Sequence, residues 1–179
     1  MLPVDGRRPV WTTGRTSSDG WCPVYRNGQL TLYLGPSEVH GRGVFAARRF
    51  AAGETIGQYD GSVVRRFETR EQADAYCDGL QHPSTMLLLR RDRARRQYVL
   101  VDGARGRRRA PLQFCNDPRG TRKTANARMT LDGGLRTTRP IPAYPARTSE
   151  ILWRYGASYW REAGRRKTRH VGACHVGGK

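Results

Sequence analysis

Glycine and proline interrupt this chain so often that no room is left for a long helix: 21 glycines and 10 prolines are spread over 179 residues. Glycine weakens regular elements through backbone entropy, proline through its missing N–H and fixed φ. What lies between the breaks reads mostly as short strands. QLTLYLG alternates Leu30, Leu32 and Leu34 with Thr31 and Tyr33, the period of a half-buried strand. A turn-rich PSEVHGRG follows, then VFAARRF, a turn at Gly53 and the extended TIGQYDGSVV. TMLLLRR and QYVLVDG predict a hairpin about the charged turn DRAR, whose arginines suit a solvated tip. LRTTRPI is one more strand-like piece before a proline-rich loop. A single helix is predicted from Thr69, where Thr69 and Gln72 have capping-box spacing and Ala73, Tyr76, Cys77 and Leu80 share a face that ends at Gly79–Leu80. The expected architecture is α+β, mainly β. One domain is expected over residues 30–160. A basic Gly/Pro/Ser-rich arm over 1–29 carries Trp11, Trp21 and Tyr25 for docking on the body, and a flexible basic tail covers 161–179.

Charge bears on partners more than on fold. The 33 Lys+Arg against 15 Asp+Glu give a net charge of +18, nearly all of the excess from arginine. Such an excess attracts polyanions. Two readings stay open: nucleic-acid contact through the basic arm and tail, or arginine scattered over solvated surface by a codon preference. No run of apolar residues is long enough to span a membrane and the N-terminus lacks a secretory pattern, so the expected setting is a reducing compartment, nuclear or cytoplasmic. Cys22, Cys77, Cys115 and Cys174 are widely spaced, with no CxxC and no Cys/His cluster, which predicts free thiols and no metal site.

HGRGVFAA (His40 to Ala47) contains Gly-x-Gly-x-x-Ala after a strand, with Asp60 at roughly 20 residues, the outline of a dinucleotide fingerprint. Gly53 cuts short the helix that fingerprint needs, and no repeated βαβ pattern follows. The same residues fit a different pattern. GPSEVHGRGVFAARRFAAGETIGQYDGSVV resembles the opening of SET domains, Ser-x-Ile-His-Gly-Arg-Gly-hydrophobic-Phe-Ala, then Gly-Glu-x-Ile, then Tyr-x-Gly. The matches are Ser37, Val39, His40, Gly41, Arg42, Gly43, Val44, Phe45 and Ala46, then Gly53, Glu54 and Ile56, then Tyr59 and Gly61. Downstream, QYVLVDG with Gly106 resembles the family's strand into its Asp-Gly turn. QFCNDPRGTRKTANARM resembles the Arg-Phe-x-Asn-His-Ser-Cys-x-Pro-Asn-Ala segment through Phe114, Asn116 and Asn126–Ala127. EILWRYGASYW resembles the Glu-Glu-Leu-x-x-x-Tyr-Gly ending through Glu150, Leu152, Tyr155 and Gly156. Tyr159 and Trp160 are similar to a pair in compact single-domain members, viral ones included; for a viral protein the host nucleus would be the expected site of action.

The resemblance spans about residues 32–160 and implies a SET (β-clip type) fold of short sheets with a knot-like C-terminal crossing. It implies a protein-lysine N-methyltransferase that uses S-adenosyl-L-methionine. Tyr155 is implied as the catalytic tyrosine that orients the target amine, with Tyr59 lining the same channel. Asn116 would hold the cofactor's amino-acid end, and the backbone at Arg42 and Gly43 would face it. Asp117 would meet the adenine through its backbone, and Trp160 would stack on the adenine or wall the channel; His40 is expected to be structural. The sequence departs from the family at Asp117, where the family has His, at Pro118–Arg119, where it has Ser-Cys, in extra residues before Asn126, and in lacking the Cys-rich zinc motif after the domain. Without that motif, Tyr159, Trp160 and the tail would have to close the lysine channel. The implied substrate is a protein with a target lysine, a histone tail by family habit, with Asp60, Glu68, Glu71 and Asp74 as candidates for an acidic groove. The alternative is a SET-like basic adaptor that has lost catalysis and binds nucleic acid or chromatin.

Overall fold

The computed structural model describes residues 10–78, 87–103 and 111–156. Ten strands and one α-helix are present among these residues: β1 (Trp11–Thr13), β2 (Cys22–Arg26), β3 (Gln29–Pro36), β4 (Arg42–Ala46), β5 (Thr55–Gln58), β6 (Ser62–Phe67), α1 (Arg70–Asp78), β7 (Leu87–Asp92), β8 (Gln97–Asp102), β9 (Ala127–Met129) and β10 (Gly134–Thr137). The strands form three small antiparallel sheets, ordered β1-β2-β3-β4, β5-β10-β9 and β6-β8-β7. The class is α+β and mainly β, as expected.

The described part of the expected N-terminal arm belongs to the first sheet. β2 returns into β3 through Asn27–Gly28, both at positive φ (49° and 78°), the two-residue turn whose twist matches a hairpin. Trp11 is buried, and a Cβ on Gly57 would sit 2.7 Å from its ring, so the first strand is pinned against β5. Within β3 the alternation expected of the three leucines holds only in part. Leu32 and Leu34 are buried, but Leu30 is exposed and Thr31 takes its place inside, because a bulge between Val24 and Tyr25 of β2 shifts the register there.

α1 starts where its capping box predicts. The Gln72 N–H donates to Thr69 Oγ1 (3.3 Å), and the Gln72 side chain accepts from the N–H groups of Thr69 (3.4 Å) and Glu68 (3.1 Å). Ala73 is buried, and Tyr76 and Cys77 pack with Phe67 and Leu100 of the third sheet; Gly79 and Leu80 lie outside the described residues. The hairpin β7–β8 forms as predicted about residues 93–96. One larger core joins the first two sheets with Val99, Val101, Leu112, Cys115 and Ile151.

The C-terminal segment is held from both sides. It lies between β4 and the loop that runs from Asn116 to Asn126. Ile151 N–H donates to Val44 O (2.8 Å), Trp153 N–H to Asn116 O (3.1 Å), and Leu152 N–H to the Asn126 side-chain oxygen (2.9 Å). Tyr159, Trp160, Gly106, Cys174 and the basic tail fall outside the described residues. No described helix is long and apolar enough to cross a membrane.

Candidate functional site

The turn from Ser37 to Gly43 is shaped by small residues. Gly41 has φ 51°, which L side chains rarely adopt, and its carbonyl accepts from Ser37 N–H (2.9 Å). Gly43 has a different reason: a Cβ there would come within 2.6 Å of a Glu150 carboxylate oxygen. Glu150 is 2 % exposed and takes hydrogen bonds from Ser37 Oγ (2.5 Å) and Lys123 Nζ (3.2 Å). Lys123 also bridges to Glu38 at 3.1 Å. Burial lowers the Lys123 pKa, but its hydrogen bonds to the two carboxylates outweigh that and raise it. A buried carboxylate persists only where cations and donors satisfy it. The Glu-x-Leu ending therefore locks to the glycine turn through Glu150.

Asn116 completes the lock. Its side-chain N–H groups are shared among His40 O (3.0 Å), Arg42 O (3.0 Å) and Ser37 Oγ (3.1 Å). Asn116, expected to face a cofactor across from Arg42 and Gly43, instead spends its donors on protein acceptors, Arg42 O among them. His40 contributes through its backbone. Asp117, buried beside Asn116, has an identifiable task. One carboxylate oxygen accepts from Arg119 N–H (2.8 Å) and the other from Tyr155 N–H (2.9 Å).

Tyr155 is held at both ends. Asp117 fixes its backbone, and its hydroxyl donates to Cys115 O at 2.8 Å. The Trp153 ring stacks beside it at 5.1 Å. Tyr59 is buried, and burial pushes its hydroxyl well above the ordinary tyrosine range, with the charges of Asp102 and Cys115 adding to the effect. Cys115 is raised too, by burial first and Glu150 second. Three segments distant in sequence converge beside Cys115: the Ser37–Gly43 turn, Asn116–Asp117 and Glu150–Tyr155. A Cβ on Gly103 would lie 2.6 Å from Tyr59 Oη and 3.1 Å from Gln113 Oε1, so both polar ends flank that glycine.

Gln113 went unnoticed in the sequence, where nothing but its place before Phe114 pointed to it. It is buried with neither amide atom hydrogen-bonded, and Trp153 Nε1 is likewise buried without a partner. Trp160 lies outside the described residues. The acidic residues near α1 are partly spoken for: Arg70 holds Asp74 at 2.8 Å through both carboxylate oxygens. No cluster of metal-ligating side chains occurs among the described residues, and Cys22, Cys77 and Cys115 are free thiols.

No family model matches the chain, and no curated protein matches it. Among solved structures it is similar to the methyltransferase domain of human PR domain-containing protein 2, with a TM-score of 0.44 and 16 % identity over 71 % of this chain and 78 % of that one.

Proposed function

We propose that this chain is an S-adenosylmethionine-dependent protein-lysine N-methyltransferase of SET type. The observation that carries this reading is the junction at Cys115. The Ser37–Gly43 turn, Asn116–Asp117 and Glu150–Tyr155, each of which resembles a SET motif in sequence, are hydrogen-bonded to one another there.

The residues suit a cationic methyl donor. The junction is rich in acceptors (the carbonyls of His40, Arg42 and Cys115, the Tyr155 hydroxyl) and holds unsatisfied buried polar groups at Gln113 and Trp153. Arg42, Gly43, Asn116, Asp117 and Trp160 are the proposed cofactor contacts. Since Asn116 spends its donors on the turn, it would act by shaping that turn rather than by its own amide. When bound, S-adenosylmethionine supplies a methyl group on a positively charged sulfur, open to in-line attack by an amine.

A phenol that donates its O–H to Cys115 O directs its lone pairs away from that carbonyl, where Tyr155 would accept from the target amine's N–H and from the C–H groups of the donor's methyl. Such C–H···O contacts are worth about 0.5–1 kcal/mol each and set direction more than rate. Holding the reactants in line contributes more, about 7–11 kcal/mol at the upper end. Tyr59, held neutral by burial, offers a hydrogen bond rather than a base. The lysine must give its proton to bulk water before transfer, which desolvation on entering an apolar channel favours. The proposed substrate is a protein lysine, a histone tail in the first instance, in a nuclear or cytoplasmic setting.

A catalytically silent SET-like adaptor is the second reading, favoured by Asp117 in place of the family's histidine and by the engaged Asn116 amide. Transfer of a tritiated methyl group to histones separates the two. The wild type is expected to label a lysine and Tyr155→Phe to lose about 10²-fold or more in rate, the scale of a lost transition-state hydrogen bond. No labelling by the wild type would favour the adaptor.

A further inference from the structure

Away from the Cys115 junction, a groove of about 430 Å³ runs between the outer edge of β7 and the segment from β9 into Leu131. The main chain closes it at one point, where Arg91 N–H donates to Leu131 O (2.7 Å). Four arginines line it: Arg70, Arg90, Arg91 and Arg128. Arg70 is paired with Asp74 at 2.8 Å. Arg91 and Arg128 are exposed and have no carboxylate partner among the described residues; Arg91 instead sits 5.8 Å over the Tyr98 ring. The rest of the lining is largely apolar: Leu89, Tyr98, Met129 and Leu131, the last 72 % exposed.

We infer that this groove is a binding site for single-stranded nucleic acid. Guanidinium groups match phosphate oxygens in a planar, paired geometry that an ammonium lacks. An aromatic ring and apolar side chains between such cations are what an unpaired base stacks on, and they give a fully hydrated anion nothing. An acidic peptide would use the arginines but leave the apolar lining uncovered. The excess charge of +18 concentrates a polyanion at the surface. Arg93 and Arg96 at the tip of the same hairpin extend the basic track, while Arg95 is held by Asp92 at 3.2 Å.

The test is fluorescence anisotropy of a labelled oligothymidylate on the full chain. The double variant Arg91→Glu/Arg128→Glu is compared with Arg49→Glu/Arg147→Glu, which changes net charge equally on arginines outside the groove. The groove variant is expected to bind about tenfold more weakly or worse, while the control changes less than about threefold. The salt dependence should also drop by about 1.4 in log–log slope, from two phosphate contacts at about 0.7 each. Thermal melts verify folding, and Arg91→Gln/Arg128→Gln decides the matter if the glutamates unfold the chain. Equal losses in the two pairs, or poly-glutamate competing as well as the oligonucleotide, would overturn the inference.

Discussion

At the scale of single residues the junction depends on groups kept out of water in one protonation state. Cys115 and Tyr59 are both raised above their ordinary pKa values, chiefly by burial. Such a group favours folding in full below its unfolded pKa and loses that contribution as pH rises toward the folded value. The unfolded values are about 8.5 for cysteine and about 10 for tyrosine, so the loss begins near pH 8.5 and deepens above 10. Lys123, raised by its two carboxylates, adds to the decline only above about 10.4. Falling positive charge works the other way by relieving self-repulsion. Cys77, also raised by burial, shares in the decline, so thermal unfolding from pH 6 to 10.5 is expected to show Cys115→Ala losing less of its midpoint across pH 8.5–10 than the wild type. Parallel curves would mean that the thiol is not held out of water. The sequence placed Asn116 and the backbone at Arg42 and Gly43 on opposite sides of a cofactor; in the structure the Asn116 amide donates to Arg42 O directly. The sequence could not reveal that the amide would be taken up by His40 O and Arg42 O, because hydrogen-bond partners depend on how segments 74 and 76 positions apart meet. Gln113 was invisible for the same reason: its burial is set by distant neighbours.

At the scale of elements, local chemistry was legible and register was not. The capping box of α1 and the β7–β8 hairpin rest on neighbours within a few residues, and both form where the sequence places them. β1 and β2 were read as an arm because glycine, proline and serine dilute their apolar pattern. The Asn27–Gly28 pair carried the missing signal. The bulge that turns Thr31 inward and Leu30 outward depends on pairing with β2, which no period-two pattern in β3 encodes. This sheet makes its own test at Gly35. A Cβ there would overlap the Trp21 ring, which is packed on Phe45 (4.7 Å) and Tyr144 (4.4 Å). Gly35→Ala is expected to displace Trp21, lower stability by about 1–3 kcal/mol in urea unfolding and red-shift the tryptophan emission. An unchanged midpoint and spectrum would show that the indole can move aside at no cost.

At the scale of the whole molecule, three small sheets share a core with the segment that carries Glu150, Ile151 and Tyr155. That arrangement was legible in outline, since the short strands and their order along the chain follow from the glycine and proline spacing. How the last segment threads between β4 and the Asn116–Asn126 loop is a long-range property fixed by Glu150 and Asn126, which bond partners far away in sequence. The charge of +18 does not shape this core; it governs what approaches the surface, and so belongs to the groove beside β7. Methyl transfer at the Cys115 junction stands or falls on the methyl donor. The measurement that tests it most directly is a calorimetric titration of S-adenosylmethionine into the full chain. Saturable one-to-one binding, retained in Tyr155→Phe while methyl transfer is lost, is the predicted result. A wild-type chain that gives no heat of binding and no saturation would contradict the methyltransferase reading.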